Sequence, residues 1–150
     1  MSLENTIMAE MKDAMKAKDE ATLRALRAIK AEIIKAKTEP GAGGVISTEA
    51  ELKFLQKMVK QRKDSLAIFE TQGRADLASK EQEELVVIER FLPAQMSEGD
   101  ITAAIQTILK DTGATTAADM GKVMGAATKL LAGKADGKII SSIVKSLLST

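Results

Sequence analysis

The stretch "VKQRKDSLAIFETQGRADLASKEQEELVVIERFL", Val59 to Leu92, carries two helical periodicities joined at a single glycine, Gly73. Wound at about 100° per residue, Met58, Val59, Leu66 and Phe69 fall on one apolar arc before the glycine, and Leu77, Leu85, Ile88 and Leu92 on another after it. A hairpin turning at Gly73 brings residues equally distant from the turn together, so Met58 meets Ile88 and Phe69 meets Leu77. Charges intrude on both arcs: Arg62 on the first, Glu81 and Glu84 on the second. An unpartnered buried ion costs several kcal/mol, and the same register sets Arg62 opposite Glu84. The expectation is an Arg62–Glu84 ion pair, with Glu81 as substitute if the register slips by one turn. Two neighbouring carboxylates also suit acid and base work. The structural reading is preferred, because ion networks perturb carboxylates without catalysis and no nucleophile stands nearby in sequence. The expected catalytic set is empty.

Working outward, the remaining chain reads as helix too. Upstream, one helix runs from Leu3 to about Lys18 with Leu3, Ile7, Met8, Met11 and Met15 as its stripe. A second runs from about Glu20 to Lys37, opened by Asp19, with Leu23, Leu26, Ile29, Ile33 and Ile34 buried and Lys30 intruding on the arc. Thr38–Ser47 breaks the pattern with Pro40 and three glycines. Thr48-Glu49-Ala50-Glu51 reads as a capping box opening the helix that ends near Gln72, and the fourth helix runs from about Asp76 to Leu92. Downstream, "PAQMS" (Pro93–Ser97) reads as a boundary. Three helices follow: about Glu98 to Asp111 capped by Ser97 and closed by Gly113, one capped by Thr116 and Asp119 and closed by Gly133, and one capped by Asp136. The expected class is all-α, with an N-terminal helical domain over 1–92 containing the long antiparallel hairpin and a small three-helix domain over 97–150.

Composition narrows the chemistry. The 150 residues include no Cys, His, Trp or Tyr and only three Phe. Ser-His and Cys-His nucleophiles are excluded, as are zinc sites of the usual kind; neither metal nor cofactor is expected. Near the N-terminus Glu4 and Glu10 interrupt any apolar block, unlike a signal peptide. No run approaches the roughly 18 apolar residues of a membrane span, so a cytoplasmic protein without a membrane partner is expected. The net charge of +1 gives little long-range attraction to nucleic acid, and any such binding rests on local clusters.

Two clusters qualify. Lys53, Lys57 and Lys60 share the polar face of the third helix, with Asp64 as the nearest counter-charge; the second helix adds Arg24 and Arg27, although Glu20, four residues before Arg24, offers it a local partner. Lys122 and Lys129 share one side of the sixth helix, and Lys134 and Lys138 flank the start of the seventh. For the lysines of the third helix a solvated face is the preferred reading over phosphate binding. Gly121 and Gly125 lie together on a flank of the sixth helix, where the missing side chains admit either another helix or a sugar–phosphate backbone; helix packing is the preferred reading. "GKVMGAATKLLAGKADGKII" (Gly121–Ile140) is no P-loop: Gly133, Gly137 and Lys138 are spaced one residue short of G-x-x-x-x-G-K, and Ile139 has no hydroxyl for Mg²⁺. Phe54, Phe69 and Phe91 sit at core spacing, so no platform for stacking bases is visible.

With "VKQRKDS" (Val59–Ser65), "FLPAQMS" (Phe91–Ser97), "DMGKVMG" (Asp119–Gly125) and "KADGKIISSIVK" (Lys134–Lys145), in this order and spacing, the whole chain resembles the YqeY-like proteins. Their C-terminal part is similar to the tail domain of the GatB subunit of glutamyl/aspartyl-tRNA amidotransferase, which contacts tRNA away from the chemistry. The resemblance implies tRNA or another structured RNA as partner, with Gly121, Lys122, Gly125, Lys129, Lys134, Gly137 and Lys138 facing it, beside an amidotransferase or another tRNA-handling enzyme. It also brings an alternative, participation in carbon–nitrogen ligase activity with glutamine as amido donor, although the catalytic cradle of the amidotransferase has no counterpart here. A further alternative, a protein-interaction module, would use the apolar rim of the helices.

Overall fold

The computed structural model describes residues 2–149, and among them every regular element is helical. The helices are α1 (Leu3–Ala17), α2 (Glu20–Thr38), α3 (Thr48–Thr71), α4 (Ala75–Glu89), α5 (Glu98–Thr112), α6 (Met120–Leu130), entered through a 3-10 turn at Ala117–Asp119, and α7 (Gly137–Leu148). They group into two compact units that divide between Leu92 and Pro93.

In the first unit, local signals punctuate the chain. Lys18 adopts φ +57° and closes α1, while the Asp19 carboxylate accepts hydrogen bonds from the Thr22 N–H and, at 2.6 Å, the Thr22 hydroxyl. Ser47 caps α3, accepting from the Ala50 N–H. The capping box expected from Thr48 therefore does not form: the serine one residue earlier reaches the free N–H groups first, and Thr48 becomes the first helical residue. Gly73, at φ +68°, lets the Arg74 N–H return to the Phe69 carbonyl at 2.8 Å, which ends α3 and starts the hairpin. The fourth helix stops at Glu89, short of Leu92. Its last turn tightens into i to i−3 hydrogen bonds from Arg90, Phe91 and Leu92, since the residue before Pro93 is pushed away from the α conformation.

Helix α2 packs on α1, α3 and α4 and forms the centre of this unit. Ala25, Leu26 and Ile29 are wholly buried on it, against Ile7, Leu55 and Ile88 from the three surrounding helices. The apolar stripe of α1 is narrower than its sequence suggests. Ile7 and Ala14 are buried and Leu3 and Met11 half-buried, but Met8 and Met15 are exposed, as is Ile34 on α2. Trimming one methyl group in this centre, by Ile29→Val, is expected to lower the unfolding free energy by about 1 kcal/mol, read as a shift of the urea midpoint at unchanged m-value.

The hairpin forms, but its charges pair differently from the expectation. Glu84 lies 3.5 Å from Nε of Arg24 on α2, and the neighbouring Glu83 accepts a 3.0 Å hydrogen bond from the same guanidinium. Arg24 thus passes over Glu20, and the Arg62–Glu84 pair is not made. Arg62 is half-buried, its Nε enclosed with no hydrogen-bond partner, and neither Glu84 nor Glu81 lies within ion-pair reach of it among the described residues. The physical reason is a third helix. Counting from Gly73 fixes the height of each side chain along the hairpin, whereas the direction it faces depends on α2, which packs on α4 from the side. The two glutamates therefore tie α4 to α2.

Candidate nucleic-acid interface

The second unit is built on Ile101, Ile105 and Ile108 of α5, Val123 and Ala127 of α6, and Ile140, Val144 and Leu148 of α7. Burying Val123 and Ala127 turns the opposite face of α6 outward, and Gly121, Lys122, Gly125, Thr128 and Lys129 lie exposed on it. On the helical wheel Gly121 and Gly125 run down the middle, with Lys122 and Lys129 to one side and Thr128 to the other. The helix-packing reading of the glycines is corrected here. A Cβ added at Gly121, Gly125 or Gly137 would meet nothing within 4 Å, and none of the three has a positive φ. Interior glycine costs a helix about 1 kcal/mol relative to alanine, so at Gly125, in the middle of α6, that cost has neither a backbone nor an internal packing cause; Gly121 stands in the first turn.

The start of α6 is set by Asp119. Its carboxylate accepts from the Thr115 and Thr116 N–H groups at 3.1 and 3.2 Å, closing a capping box with Thr116. These two backbone hydrogen bonds, chiefly, hold the carboxyl below its ordinary value of 3.8, with Lys122 adding a weaker attraction. A depressed acid stabilises the fold above that ordinary value, and the contribution vanishes as pH falls through the lowered one. Asp119→Asn is therefore expected to make the acid limb of stability shallower between about pH 5 and the acid transition, followed by helical circular dichroism.

At the corner between α6 and α7, Gly133 is buried at φ +76°. Lys134 follows on the surface, with its N–H on the Leu131 carbonyl and its own carbonyl accepting from the Met96 N–H, each at 2.9 Å. Asp136 then caps α7 through the Lys138 N–H at 2.7 Å. Lys138 and Lys145, seven residues apart on the face opposite Ile140 and Val144, are both exposed, with Ser142 between them. Lys145 and Thr128 are missing from the set expected by sequence, although the repeat of Lys138 two turns later marks Lys145.

Charge pairing separates the two units. Every ion pair among the described residues lies in the first: Arg24 with Glu83 and Glu84, Lys37 with Glu4, Lys53 with Glu49, Arg74 with Asp76, and Arg90 with Glu10. Lys122, Lys129, Lys134, Lys138 and Lys145 make none. The cluster on α3 is correspondingly weaker than expected: Glu49, one turn before Lys53 and 3.6 Å from it, is its counter-charge in place of Asp64. Lys57 remains exposed and Lys60 half-buried. No helix among the described residues is long and apolar enough to cross a membrane.

Residues 4–148 match the family described as "Yqey-like protein". Two curated relatives share the name "Altered inheritance of mitochondria protein 41, mitochondrial". The one from Pyrenophora tritici-repentis is 29% identical over 148 residues, covering 95% of this chain and 78% of the relative. The one from Clavispora lusitaniae is 37% identical over 92 residues, covering 61% of this chain and 52% of the relative.

Proposed function

The chain belongs to the YqeY-like family, and from that membership we propose that it is a non-catalytic accessory protein that binds tRNA or another structured RNA through the α6–α7 surface, beside an amidotransferase or another tRNA-handling enzyme. One observation carries the reading: Gly121 and Gly125 form an open floor that the fold itself does not require, beside Lys122 and Lys129, which have no ion-pair partner among the described residues. A bare helix surface lets a sugar–phosphate backbone approach closely, and unpaired lysines neutralise its charge at no loss of an internal ion pair. Residues 93–150 contain no aromatic side chain, so stacking on unpaired bases is unavailable. Recognition then rests on shape and phosphates, as for folded RNA.

Glu81 and Glu84 are assigned no part in chemistry; Glu84 serves Arg24. The cytoplasm remains the proposed compartment, and the names of the two relatives add the mitochondrion as the other place to look. The deciding experiment titrates the full chain into fluorescently labelled bulk tRNA at salt concentrations from about 50 to 200 mM. Binding that weakens linearly in log–log form is expected, and no binding at the lowest salt overturns the reading. Salt-indifferent capture of a protein instead would favour an interaction module.

A further inference from the structure

The segment "PAQMS", which opens the second unit, has a use that its role as a boundary does not explain. Gln95 is exposed, yet its side-chain amide is committed to main-chain carbonyls: Nε2 donates to the Gly133 carbonyl at 2.8 Å and to the Pro93 carbonyl at 3.0 Å. Both partners are acceptors, so the amide nitrogen, with two hydrogens, is the only end of the side chain that fits. The next residue repeats the grip, since the Met96 N–H donates to the Lys134 carbonyl at 2.9 Å. Two consecutive residues thus hold two consecutive carbonyls at the corner from which Lys134 and Lys138 project. Gly133 gains conformational freedom from its missing side chain, and without an outside tether a corner containing it has several backbone courses open to it.

Resting on the reading of α6–α7 as an RNA surface, we propose that Gln95 is a positioning residue for that surface: it touches no RNA, and its amide fixes the backbone course at Gly133 so that Lys134 and Lys138 reach phosphates together. Because Gln95 is exposed and the α5–α6–α7 core does not include it, its loss loosens the corner without unfolding the unit.

The test is a double-mutant cycle on the full chain with labelled bulk tRNA as probe. Gln95→Met keeps the length and removes both donors; Gln95→Ala serves as second variant. Each phosphate contact contributes roughly 0.7–0.9 to the salt slope, so K134A/K138A flattens it by about 1.4–1.8. The expected result is that Gln95→Met flattens the slope by a comparable amount, and that adding it to K134A/K138A weakens binding less than about twofold, as coupled sites do. General loss of stability would not change the slope of the folded fraction. The proposal is overturned if Gln95→Met keeps the wild-type slope and affinity while K134A/K138A loses both, or if the losses simply multiply. Wild-type protein that binds no tRNA fails at the earlier step, the RNA reading itself, and takes this inference with it.

Discussion

Replacing Lys122, Lys129, Lys134 and Lys138 together by alanine is expected to lower the affinity for tRNA at about 50 mM salt by on the order of a thousandfold, and to flatten the salt dependence by about 3. At that salt each neutralised phosphate contributes close to tenfold through counterion release, and four contacts bound the total. The fold should survive, because none of the four lysines has an ion pair to lose among the described residues. The weak attraction between Lys122 and Asp119 is lost as well. Anisotropy titrations give the affinities, and the unfolding midpoint verifies that the variant is intact. Alanine at Lys53, Lys57 and Lys60 forms the parallel arm. Lys53 already faces Glu49, with both side chains about three-quarters exposed, so that arm should flatten the slope by at most about 2. An α3 arm that exceeds the α6–α7 arm would move the proposed surface to the first unit.

The fold was legible where one residue type does one local job. Gly73 reverses the chain, Ser97 and Asp136 cap their helices, and Thr116 with Asp119 opens α6 through the 3-10 turn, each as the sequence predicts. It was illegible where a third element decides. Helical spacing put Glu84 at the height of Arg62, but α2 supplies the nearer cation, and a linear pattern does not encode which neighbour a side chain faces. Met8, Met15 and Ile34 met the spacing rule for burial and still face out, because their helices are covered over a narrower arc than their apolar residues span. Ala25, by contrast, is wholly buried: its small side chain permits close packing of α2 but adds little to an amphipathic pattern. At the candidate surface the lysines were legible by type and spacing. The tether from Gln95 was not, since a glutamine before a cap has no spacing signature and its partner lies 38 residues away.

The glycine floor permits a sharper test than the lysines, because stability and binding should move in opposite directions. Gly125→Ala introduces a methyl group into open space at ordinary helical φ. It should raise the unfolding free energy by about 1 kcal/mol, the helix-propensity difference between the two residues. A surface kept bare for a sugar–phosphate backbone should nevertheless bind tRNA more weakly once that methyl group intrudes. Gly125→Glu goes further. The helix accepts glutamate about as readily as alanine, and no neighbour lies within 4 Å of the new Cβ, so the protein should fold at least as stably as the wild type. Its carboxylate, however, stands where phosphate is to lie, and like charges juxtaposed at an interface cost several kcal/mol. The loss expected in tRNA affinity is therefore about a hundredfold or more, the largest from any single substitution on this face. Thermal unfolding and anisotropy on the same preparations read both quantities. A Gly125→Glu protein that is as stable as the wild type and binds tRNA equally well would mean that RNA does not approach α6 on this side, and the glycines would need another explanation.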